Sequence, residues 1–166
     1  AQLFTLEDGR RVYVVQIHGR IFMDSLDDPF QGAQRAIQAA PLGMAADAVV
    51  LEIHAEATSE KSAMAHFLDG QASLVVGAHT HTPTADAQIY PGGTAFQSDA
   101  GMCGDYDSVI GMNKEVATDR FTGRGNSRLS VALGAVTTCG LLVEADDTGM
   151  AQTVRPLRRG GELTPA

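Results

Sequence analysis

Five histidines occur in the 166-residue chain, and two of them, His79 and His81, stand two apart in LVVGAHTHTPTAD, residues 74–86. The apolar run before them has the composition of a strand. In extended backbone, residues i and i+2 face the same side, so both imidazoles could be presented to one place. A third, His54, ends another apolar run in ADAVVLEIHAE. Open α/β sheets bind ligands beyond the carboxyl ends of their strands, so three rings could meet at one sheet edge. Neutral imidazole is the commonest protein ligand for divalent transition metals, which makes His54, His79 and His81 the candidate metal ligands. An H-x-H pair alone is a weak signal, and a single histidine at a strand end is more often bonded to nearby backbone.

The remaining titratable groups offer less. His18 follows an early strand pattern and could sit near the same edge, whereas His66 falls inside a helical pattern, off its apolar stripe. Glu56 and Glu60 in HAEATSEK are ambiguous; Glu60 reads as a first-turn helix residue that favours the positive end of the dipole. GGTAF and GMCGDYDSVIG are rich in glycine but lack the G-x-x-x-x-G-K-[ST] pattern of a phosphate-cradling loop, so their glycines read as turn formers. No Ser–His–Asp or Cys–His constellation can be assembled.

Composition limits the partners. With 44% hydrophobic residues the chain is ordinary for one globular domain, residues 1–166, with no internal boundary, repeat or linker. A formal charge of -8 argues against a grip on duplex nucleic acid, which needs a basic face. It leaves room for a small anionic substrate, because bound cations could supply positive charge locally. Cys103 and Cys139 lie far apart without a C-x-x-C, which suits a reducing compartment. No signal-peptide pattern or spanning apolar stretch is seen, so a cytoplasmic location away from membranes is the expectation.

The elements that would position the histidines follow an α/β order. Residues 11–17 read as a strand; Asp28 and Pro29 signal a helix start, with Phe30, Ala33 and Ile37 as its stripe. ADAVVLEIHAE suggests a strand covered on both faces. TSEKSAMAHFLDG reads as a helix capped by Thr58 or Ser59, buried through Ala63, Met64, Phe67 and Leu68, and ended by Gly70. ASLVVGA is the next strand and HTHTPTAD its loop. Strand, helix, strand, helix, strand predicts a parallel arrangement. Beyond it, GGTAFQSD, EVATDRF, SRLSVALG, VTTCGLLVEAD and MAQTVRPL, separated by GRGN, LGA and DDTG, predict antiparallel hairpins.

Three consecutive blocks, EIHAEATSEKSAMAHFLDG, VVGAHTHTPTADAQIYPGGTAF and SDAGMCGDYDSVIGMNKEV, together with QIHGRIFMDSLDDPF upstream, closely resemble the YmdB-like metallophosphoesterases. The match runs along nearly the whole chain. The resemblance implies an α/β fold, the calcineurin-like sandwich of mixed sheets flanked by helices. It also implies metal-dependent hydrolysis of 2',3'-cyclic nucleotides at a dinuclear centre with a bridging hydroxide. GAHTH corresponds to that family's final G-x-H-x-H motif, whose histidines serve two different ions, and His54 to the single-histidine motif before it. The resemblance implies two divalent or mixed-valence ions of iron, manganese or zinc.

The chain also departs from the family pattern. A strand bearing a metal-binding Asp, followed by Glu-Asn and Asn-His motifs, opens the family's members, and none of these occurs upstream of Arg11. The expectation is a C-terminal portion whose N-terminal strands are missing. Such a chain carries no catalytic acid, binds at most one ion, and has little activity alone. Uncovered sheet edges and faces would favour a homo-oligomer or association with the missing segment. The alternatives are a metallohydrolase of another substrate class and a non-catalytic module that binds metal or a partner.

Overall fold

The computed structural model describes residues 1–24 and 27–166. Among them, the elements in chain order are β1 (Gln2–Thr5), β2 (Arg11–His18), α1 (Pro29–Ala39), β3 (Ala48–His54), α2 (Thr58–Phe67), β4 (Leu74–Ala78), β5 (Gln88–Ile89), β6 (Ala95–Gln97), β7 (Gly104–Asp105), α3 (Lys114–Phe121), β8 (Val136–Ala145) and β9 (Ala151–Arg159). The main sheet has the order β1-β2-β3-β4-β6-β5, and a smaller one the order β7-β8-β9. No helix among the described residues is long and apolar enough to cross a membrane.

Parallel neighbours need crossover connections, and the two long helices supply them. α1 joins β2 to β3 and α2 joins β3 to β4, all three strands being parallel. The α1 start matches the sequence signals: the Asp28 carboxylate accepts the Phe30 and Gln31 amides, and Pro29 sits where no amide is needed. Ala33 and Ile37 are buried and Phe30 half-buried. β1 pairs antiparallel with β2 and occupies that edge with all four residues exposed.

Strands β2, β3 and β4 are covered mainly on one face, not on both as the apolar run at 48–54 suggests, whereas β6 is buried on both. Tyr13, Val15, Val49, Leu51, Ile53 and Val75 are buried on the covered side. The alternate residues Gln16 and His18 are exposed, and Val50, Glu52 and His54 half-buried. Each fully buried Leu, Ile or Val contributes roughly 1.5–3 kcal/mol.

Helix α2 is rotated from its predicted orientation. Met64, Ala65 and Leu68 are buried with Glu60 and Lys61, while Ala63 and Phe67 face outward. Positions 61, 64, 65 and 68 form a helical stripe, but a charged residue at its head hides it from a hydrophobicity count. Its N-cap is Ala57, with no side-chain cap, rather than Thr58 or Ser59. Gly70, at φ 81, follows the helix end.

The second half contains a long hairpin of the expected kind. β8 and β9 pair antiparallel through the DDTG turn, where Asp146 accepts the Thr148 amide. GGTAFQSD supplies β6, which forms a short antiparallel hairpin with β5 across the turn at 90–94 and also adds parallel to β4. EVATDRF is helical, because Asn113 caps its first turn by accepting the Val116 amide. SRLSVALG contributes only a bridge from Val131 to Met112.

Leu51→Ala, in the covered face, should lower stability by about 2–5 kcal/mol in urea unfolding. Ala63→Ser, on the outward side of α2, should change it by about 0.5 kcal/mol or less.

Candidate metal centre

The carboxyl ends of β2, β3 and β4 collect the histidines unevenly. His18 and His54 are register partners, and their rings stack with centroids 5.7 Å apart. His79 follows β4 directly and meets the His54 ring edge-on, at a centroid distance of 5.0 Å. His79 Nδ1 and His54 Nε2 lie 3.1 Å apart. The His81 ring is held elsewhere, with Nδ1 2.9 Å from the Ile110 carbonyl oxygen. That contact places the proton on Nδ1 and leaves Nε2 with a free lone pair. Among the described residues, no group of three His, Cys, Asp or Glu side chains is arranged to hold an ion.

The backbone explains why His81 parts from His79. His79 has φ 116 and His81 has φ 65, so neither is extended and the i, i+2 argument does not govern the loop. Left-handed conformations cost non-glycine residues on the order of 1–3 kcal/mol and persist where the surroundings hold them. Here the His81 carbonyl accepts the Met102 amide at 3.2 Å and lies 3.1 Å from the Tyr106 hydroxyl.

Behind each of the two touching rings stands a carboxylate. Glu56 Oε2 is 2.8 Å from His79 Nε2. Glu52 Oε1 is 3.8 Å from His54 Nδ1, and both Glu52 oxygens are buried without a hydrogen-bond partner. A carboxylate bonded to a histidine draws the proton to the nitrogen facing it and orients the other nitrogen's lone pair, as Glu56 does for His79; Glu52, at 3.8 Å, is too far to hydrogen-bond His54. The nitrogens left facing each other are His54 Nε2 and His79 Nδ1. Two lone pairs at 3.1 Å repel unless a proton or a cation lies between them. Two nitrogens bound about 2.0–2.1 Å from one ion stand roughly 2.9–3.4 Å apart in right-angled to tetrahedral geometry. The observed spacing and the two carboxylates therefore fit two ligands of a divalent ion, with His81 Nε2 available separately.

The other groups separate into supporting roles. His18 Nδ1 is 2.8 Å from the Gly19 carbonyl, and its exposed ring lies against the site. Glu60 is buried, and its carboxylate accepts the Arg20 and Ile21 amides, which fixes the loop after β2. His66 is exposed and stacks on Tyr90 at 4.1 Å. Burial, then the hydrogen bond with the Cys139 sulfur, pushes the Tyr106 phenol up to about 12 and keeps it neutral. Sequence reading missed Glu52 as a partner of His54, although period-two alternation in LEIH places both on one face.

The family described as YmdB-like protein matches residues 1–157. The chain belongs to the YmdB-like family. It is 42% identical over 140 residues to the 2',3'-cyclic-nucleotide 2'-phosphodiesterase of Bacillus subtilis (strain 168), covering 84% of this chain and 52% of that relative. The match thus covers about half the length of that curated relative and 36% of a second, a putative phosphatase/phosphodiesterase of Mycoplasma pneumoniae. Among solved structures, a hypothetical protein from Thermus thermophilus superposes with TM-score 0.81 at 41% identity, over 96% of this chain and 62% of the other. A crystal structure described as a novel phosphatase from Mycoplasma pneumoniae gives TM-score 0.81 at 28% identity, over 96% and 56%. The mixed α/β fold expected for a YmdB-like chain is therefore shown.

Two measurements follow from this geometry. Glu56→Gln should weaken Zn²⁺ binding by about 10- to 100-fold in calorimetric titration, because His79 loses the carboxylate that orients it. Tyr106 should ionise, by phenolate absorbance, only near pH 12, a step absent in Tyr106→Phe. A raised acid favours the neutral form, so its contribution to stability is full below about pH 10 and lost as pH rises from there toward the folded value.

Proposed function

We propose that the chain supplies part of the metal centre of a phosphodiesterase that hydrolyses 2',3'-cyclic nucleotides, with His54, His79 and His81 as metal ligands. The contact of His54 Nε2 with His79 Nδ1, each ring backed by a carboxylate, is the observation that carries the reading. Membership of the YmdB-like family and identity to a relative named for this activity support the substrate class.

Bound divalent ions of iron, manganese or zinc would supply Lewis acidity that activates water and offsets charge on the phosphoryl oxygens. The protein's own residues do the positioning. Glu56 holds His79 with Nδ1 forward, Glu52 stands behind His54, and the Ile110 carbonyl fixes His81 with Nε2 free. In-line attack of water at phosphorus breaks the bond to O2' and leaves a 3'-phosphomonoester, with the water proton passing to the departing alkoxide. The leaving-group acid is not assigned to this chain. A chain of charge -8 can accept an anionic substrate because cations would mediate the contact.

Three neutral imidazoles cannot neutralise two dications without carboxylate ligands. We therefore take residues 1–166 alone to hold at most one ion and to have little activity, the rest of the dinuclear centre coming from further polypeptide. The open face of the main sheet and the exposed side chains of Phe22, Phe121 and Leu133 support association with such a segment or with another copy. A cytoplasmic setting suits the free Cys103 and Cys139.

The full-length protein should hydrolyse 2',3'-cyclic AMP and bis-p-nitrophenyl phosphate after loading with Mn²⁺. His54→Ala and His79→Ala should each lower kcat/KM by at least about 100-fold and reduce bound metal. Unchanged metal content in both variants would remove them as ligands. Turnover by residues 1–166 alone at the full-length rate would overturn the partial-site reading.

A further inference from the structure

Lys61 and Asp99 are charged, yet their side chains are only 1% and 2% exposed, with Nζ 3.3 Å from Oδ2. A buried ion pair is weak support for stability, because apolar residues of similar volume often serve as well. A carboxylate can do what an apolar side chain cannot: accept several backbone hydrogens at once. Asp99 Oδ2 also accepts the Thr80 amide at 2.9 Å, and Oδ1 accepts the Gly101 amide at 2.9 Å. Thr80 lies between His79 and His81, the two residues with left-handed backbone.

The surroundings leave this carboxylate little freedom. The main chain of Asp99 bonds Thr84 in both directions, its amide to the Thr84 hydroxyl at 3.0 Å and its carbonyl to the Thr84 amide at 3.1 Å. Lys61 reaches Asp99 past Gly77, where any Cβ would collide with the Ser98 carbonyl oxygen and stand 2.7 Å from Lys61 Cδ. The glycine that opens GAHTH is thus the opening through which the ammonium arrives.

We propose that Asp99, charge-balanced by Lys61, is a positioning residue that clamps the Thr80 amide and so holds the backbone of His79 in its left-handed conformation. Turning the His79–Thr80 peptide would withdraw the Thr80 hydrogen and leave a buried carboxylate short of a donor, which is costly. The strained loop is therefore kept by the electrostatic demand of a group behind it. The consequence for metal affinity rests on the reading of His79 and His81 as ligands; the clamp itself does not.

The test uses the full-length protein, with amide hydrogen exchange at Thr80 and titration with Co²⁺ followed by visible absorption. In the wild type the Thr80 amide should exchange as slowly as amides of β3 and β4, although Thr80 itself is exposed. Asp99→Ala, which removes the acceptor of the Thr80 hydrogen, should speed that exchange by at least about tenfold and weaken Co²⁺ binding by about 10- to 100-fold. Ile37→Val, a core change on α1, should leave both readouts as in the wild type. A wild-type Thr80 amide exchanging at the rate of an open loop would overturn the clamp, and so would wild-type Co²⁺ affinity in Asp99→Ala. Should that variant not fold, the wild-type exchange decides alone. If the wild type binds no Co²⁺, the metal reading falls, while Thr80 exchange still judges the clamp.

Discussion

Asp99 sits where four parts of the molecule converge: α2 through Lys61, the end of β4 through Thr80, the chain after β6 that carries Asp99 itself, and the turn at Gly101. A carboxylate taken out of water needs donors for both oxygens, and here a side chain and two amides supply them. The loop bearing His79 and His81 is shaped by that requirement. Its conformations are unfavourable locally and are retained because relaxing them would leave the interior group under-bonded.

The main sheet provides the second constraint. Three parallel strands in register end at nearly the same level, so His18 and His54 lie side by side and His79 emerges next to them. Alternation then places Glu52 on the same face as His54. That face is only half covered, so a polar row of Gln16, His18, Glu52 and His54 can exist on a sheet whose other side is packed with Val15, Leu51 and Ile53. The division between a buried apolar face and an open polar one is what lets a stable sheet carry a ligand-binding edge.

Much of this is legible in the residues. The βαβαβ order, the Asp28–Pro29 helix start and the β8–β9 hairpin follow from patterns of two and 3.6 and from turn chemistry. The misreadings have specific causes. The α2 stripe departs from its sequence reading because Glu60 and Lys61 are buried to satisfy tertiary partners, which composition cannot foresee. The helix at 114–121 reads as a strand because its β-branched residues outweigh the Asn113 cap. The pairing of β6 with β4 depends on a contact between distant segments that no local pattern records.

The sequence by itself determined which side chains could bind a cation and which strands would bring them to one edge, because residue type and period are local properties. Only the tertiary structure decided that His79 meets His54 while His81 turns to Ile110, and that Glu52, Glu56 and Asp99 stand behind them. Those choices are set by backbone angles in the left-handed region and by donors drawn from remote elements. They arise from the balance of buried polar groups across the whole fold, to which a single segment is blind.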